Sequence, residues 1–152
     1  MTAVGNFAVG EVLTAASLNE IGAWTTITVT ASNFPSTVTA RSYAMQKIAF
    51  VEITATATGA ATGNITFTLP AGLEIATTDI PIGNIFMINT TGGINYNGVA
   101  IRGATNLTVA PRVFDNGATY TRYTRTAVPN ATVPFTWASG DVIKMFLNYR
   151  IN

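Results

Sequence analysis

The sequence predicts an all-β protein: an antiparallel β-sandwich or jelly-roll-like domain with a short N-terminal arm and helix. Three observations carry this. Segments rich in Thr, Val, Ile and aromatic residues recur at intervals of about 8 to 12 residues. Turn signals punctuate them, at Thr91–Gly93, Asn97–Gly98, Asp115–Gly117, Val128–Asn130 and Ser139–Asp141. The alternation of strand and helix that builds a parallel sheet is absent.

Residues 1–23 differ in texture from the rest. Val4, Phe7, Val9 and Val12 sit among Gly and Ala without strand alternation. Thr14 then offers an N-cap and Gly22 a left-handed C-terminal stop. Leu18 and Ile21 share one face between them. The segment predicts a helix of about two turns, too short to stand alone. The arm therefore packs on its own domain, a sister subunit or a larger partner. Its candidate contact residues are Val4, Phe7, Val9, Val12, Leu13, Leu18 and Ile21, with Trp24 where the arm meets the domain.

The β domain spans 24–152. Residues 24–30 alternate with period 2, and 47–58 supply a full strand. In 64–69, Ile65, Phe67 and Leu69 face one way and Thr66 and Thr68 the other, with Pro70 and Gly72 closing the segment. Further strands are expected at 83–89, 94–102, 106–114, 119–126, 132–137 and 142–151. Phe50, Phe67, Phe114, Phe135, Trp137, Phe146 and Tyr149 fall within strand patterns and are expected in the core.

Composition narrows the function. Only 10% of residues are charged, against about 25% in ordinary soluble domains. Thr, Asn, Gly and Ala fill the gap. A monomer keeps itself soluble with mixed surface charge, so this composition points to a surface covered in an assembly. The net charge of +1 gives no electrostatic case for nucleic acid or anionic membrane. No apolar run reaches the roughly 18 residues a membrane span needs. The N-terminus lacks a basic region, so no signal peptide is expected.

There is no histidine and no cysteine. That removes Ser/His/Asp and Cys/His machinery, and the commonest metal ligand. The seven acids are scattered, Glu74 and Asp79 being the closest pair beyond the arm. No enzyme, cofactor or metal site is expected. Arg112, Arg122 and Arg125 lie near Tyr120 and Tyr123. Strand parity divides residues 120–125 between two faces, so no purely basic face results. Arg and Tyr are favoured at interfaces, and Arg112, Tyr120, Arg122, Tyr123 and Arg125 are read as subunit-contact candidates. Glycosylation sequons occur at Asn64, Asn89, Asn106 and Asn130.

Residues 10–24 (GEVLTAASLNEIGAW) resemble a segment common in bacteriophage tail and other virion proteins, where it precedes a Trp that opens a β domain. Residues 47–53 (KIAFVEI) and 62–70 (TGNITFTLP) are similar to central strands of those domains. Residues 137–143, with Tyr149, resemble the last strand of trimeric jelly-roll-like knobs. The likeness is patchy over most of the chain and strongest at 10–24 and 47–70.

It implies a non-enzymatic virion protein located on the capsid surface or the tail. The short arm, behind the chain's own Met, favours a small, separately encoded protein. The leading expectation is a homotrimeric capsid decoration (cement) protein, with itself and the major capsid protein or another virion protein as partners. The alternative is the receptor-binding tip of a tail fibre or spike, using loops around Gly92–Tyr96 and Asp115–Tyr120 to hold sugars. A polysaccharide-cleaving enzyme, a bacterial adhesin and a carbohydrate-binding module are the remaining rivals.

Overall fold

The computed structural model describes residues 23–76, 81–115 and 125–152. The expected helix of the arm lies outside them. Among the described residues every regular element is a β-strand. The strands are β1 (Thr25–Thr26), β2 (Thr30–Ser32), β3 (Ser36–Met45), β4 (Ile48–Ala57), β5 (Thr66–Thr68), β6 (Gly83–Asn89), β7 (Ile94–Arg102), β8 (Thr108–Asp115), β9 (Arg125–Ala127) and β10 (Val142–Arg150).

All ladders are antiparallel and join in one curled sheet, in the order β1-β3-β4-β10-β6-β7-β8-β5-β2. β9 pairs with β8 off this path. One flank of β8 is filled along its length by β7, the other by β5 at its start and β9 at its end. β2, at the end of the path, returns beside β3 without a ladder between them. The last strand of the chain, β10, occupies the middle of the sheet, between β4 and β6.

The inner face supplies the core. β4 turns Ala49, Val51, Ile53, Ala55 and Ala57 inward, and β10 turns Ile143, Met145, Leu147 and Tyr149 inward. Ile85 and Met87 of β6, Ala100 of β7 and Phe67 of β5 complete the surround. Two ends are closed differently. At one, Phe34 and Phe135 pack on Trp137 with ring centroids 4.9 and 4.4 Å away, and Tyr96 leans on Phe135 at 5.4 Å. At the other, the segment from Leu73 to Ala76 pairs with the C-terminus: Ala76 N–H donates to Arg150 C=O, and the Tyr149 hydroxyl donates to Leu73 C=O at 3.0 Å. Burial, and then the nearby Glu74 carboxylate, raise the Tyr149 phenol well above its ordinary pKa.

β6 and β7 fall where the sequence places them. β3 does not figure among the expected strands: its inward positions are Val38, Ala40 and Ser42, small or polar groups flanked by Thr, Ser and Arg. Residues 132–137 were expected as a strand and form a loop instead. Asn130 folds back on Thr132 N–H at 3.0 Å, and Pro134 has no N–H to give a ladder. Phe135 and Trp137 reach the core from that loop. Asn97–Gly98, read as a turn, lies inside β7. A Cβ at Gly98 would overlap the Arg112 carbonyl oxygen on β8, so close strand approach explains this glycine.

Candidate interaction surface

On the outer face, register sets side chains in rows. Met45 of β3 lies beside Ile48 of β4, which neighbours Arg150 of β10. The next row holds Tyr43, Phe50 and Asn148, with Trp24 just ahead of β1 at its edge. The third runs Thr26, Arg41, Glu52, Phe146, Asn84, Val99 and Arg112. The fourth holds Thr39, Thr54, Lys144, Phe86 and Asn97.

An apolar band therefore crosses the sheet diagonally. Trp24 meets Tyr43 edge-on at 4.8 Å, and Tyr43 stacks on Phe50 at 4.6 Å. Phe146 and Phe86 contact edge-on at 6.3 Å. Met45 is 51% exposed, Phe146 47%, Phe86 41%, and Trp24 and Ile48 40% each. Phe50 and Phe146, expected in the core, belong to this face, because each has the opposite strand parity to the buried residues beside it.

Charge on the band is compensated locally. Arg41 Nε donates to Glu52 Oε2 at 2.6 Å while its guanidinium lies 4.7 Å from the Trp24 ring centroid. Arg, Tyr, Trp, Phe and Met are the residues enriched in protein–protein contacts.

Two open clefts lie along β3, near the stretch that β1 leaves unpaired. One, of about 560 Å³, lies between Val29, Phe34, Ser36 and Thr62. The other, of about 450 Å³, lies between Ile27, Thr39, Arg41 and Glu52. Val38 lines both. No group of three metal-ligating side chains occurs among the described residues, and no helix there is long and apolar enough to cross a membrane.

Of the arm candidates, Trp24 is on this surface; Val4, Phe7, Val9, Val12, Leu13, Leu18 and Ile21 lie outside the described residues. Among the subunit-contact candidates, Arg112 sits on the outer face opposite Val99. Arg125 opens β9 opposite Asp115, and Tyr120, Arg122 and Tyr123 lie outside the described residues, as does Asp79. Tyr96, a residue of the sugar-binding alternative, is engaged in packing on Phe135. Asn89 and Asn130 of the sequons accept backbone hydrogen bonds from Gly92 and Thr132. Reading β4, β10 and β6 by parity would have found the band: Phe50, Phe146 and Phe86 all fall on the outward register.

Comparison with family models, with curated proteins and with solved structures gives no match to this chain.

Proposed function

We propose that this chain is a non-enzymatic phage virion structural protein: a homotrimeric capsid decoration protein that stabilises the head by covering and bridging its subunits. The observation that carries the proposal is the exposed apolar band from Trp24 to Phe86. Such a band on a chain with only 10% charged residues needs a permanent partner. Sequence likeness to virion proteins supplies the setting, and a curled sheet around one core suits a jelly-roll-like knob. Burying apolar side chains contributes about 25 cal/mol per Å², and repetition over many copies multiplies the effect.

Copy number tests this. Mass spectrometry of purified virions, with the major capsid protein as reference, is expected to give a simple stoichiometric ratio between the two. A few to a few tens of copies per particle would move the protein to a tail fibre or spike. Absence from virions would overturn the virion role.

A further inference from the structure

We infer that the outer face of β3, β4, β10 and β6 is a two-fold interface between copies of this chain. It assigns the band to a second copy of the chain, which leaves contact with the head to other surfaces. A strand that packs on one side alternates apolar and polar residues; one covered on both sides does not. Three central strands lose alternation together: Ile48–Val51 in β4, Met145–Leu147 in β10 and Ile85–Ile88 in β6. Their inner residues fill the core and their outer residues form the band, so the sheet calls for a second layer.

The size fits a partner. Four strands at about 4.8 Å and four outward rows at about 6.8 Å make a field of roughly 500 Å². That is about two thirds of the roughly 800 Å² each partner contributes to a standard interface.

The arrangement is complementary to itself. Glu52 and Lys144 sit diagonally about Phe146, Glu52 one strand away and Lys144 one row away. Consider a two-fold axis lying in the plane of the contact along the diagonal from Phe146 to Thr54. It lays Phe146 on its own counterpart and brings Glu52 toward Lys144 of the second copy. The same operation brings Phe50 toward Phe86, and Asn84 toward Asn148. Each pairing off the axis occurs twice, as a closed isologous contact requires. Carboxylate meets ammonium, ring meets ring, and amide meets amide. Glu52 then lies between Arg41 of its own chain and Lys144 of the second copy.

The test is sedimentation of the full chain, alone and with Lys144→Glu or Phe146→Asp. Both side chains are exposed, so each variant should keep the wild-type circular dichroism. The expected wild-type particle holds an even number of copies: a dimer, or a hexamer of two trimers. Each substitution should halve its mass, weakening association about tenfold or more. A wild-type monomer or strict trimer overturns the inference, as does an even-numbered particle whose mass neither substitution changes. The virion role fails by a different result, absence from virions, so the two outcomes are separable.

Discussion

Asp141 Oδ1 accepts hydrogen bonds from both the amide and the hydroxyl of Thr90, at 2.9 and 3.0 Å. Its other oxygen accepts from Ala138 N–H at 2.8 Å. The residue is buried, and its carbonyl takes the Ala57 N–H at 2.7 Å. One side chain thus ties the β6–β7 turn to the start of β10, while its backbone holds the end of β4. Asp141→Ala removes three acceptor contacts, two on Thr90 and one on Ala138. A loss of about 3 kcal/mol is expected in urea unfolding, and a change below about 1 kcal/mol would show that the turn finds other partners.

Tyr149→Phe tests the opposite end of β10. Losing the bond to Leu73 C=O should cost about 1 kcal/mol at neutral pH. The folded phenol's pKa is raised by burial and by Glu74, so the folded state holds this proton where the unfolded chain has released it. Its stabilisation is complete below the ordinary tyrosine pKa of about 10 and declines as pH rises above it. The wild type should therefore lose more stability between pH 9 and pH 11 than the variant. Equal losses, by urea midpoints at both pH values, would remove Tyr149 as the source.

At Gly98 the limit is space. An added Cβ meets the Arg112 carbonyl and lies 2.9 Å from Val113 Cα, both backbone of the paired strand. Gly98→Ala should destabilise by about 3 kcal/mol or more. Gly59→Ala is the control, because nothing lies within 4 Å of its added Cβ. Thermal unfolding of both variants is expected to separate them clearly.

Ser42 predicts a gain. Its hydroxyl is buried on the inner face of β3 with no hydrogen-bond partner among the described residues. Ser42→Ala removes that desolvated oxygen and adds no atom. Stability should rise by about 1 kcal/mol in urea unfolding. A fall would reveal a partner for the hydroxyl outside the described residues.

The legibility of the sequence divides along a physical line. β6 and β7 were readable because apolar residues and the Thr91–Gly93 turn bracket them. β3 was hidden because its inward positions are small, and neighbouring strands supply the bulk that makes them core. The loop at 132–137 misled because Phe135 and Trp137 share strand spacing, yet they reach the core from irregular backbone. The interaction surface was half visible. Trp24 stands out as the start of the domain, but Phe50 and Phe146 are expected in the core because they are aromatics within strand patterns. Parity against Ile53 and Met145 assigns them to the other face, a distinction that rests on register and not on composition.

The central position of β10 has a consequence for biosynthesis. β3–β4 and β6–β7–β8 are hairpin-connected and can form as the chain emerges, but the strand that joins β4 to β6 by ladders is made after them. Until Val142–Arg150 leaves the ribosome, β4 and β6 each present an unpaired edge beside an apolar face. Completion of the fold thus waits for this strand, and a chain cut off before it yields two sticky half-sheets instead of a shortened protein.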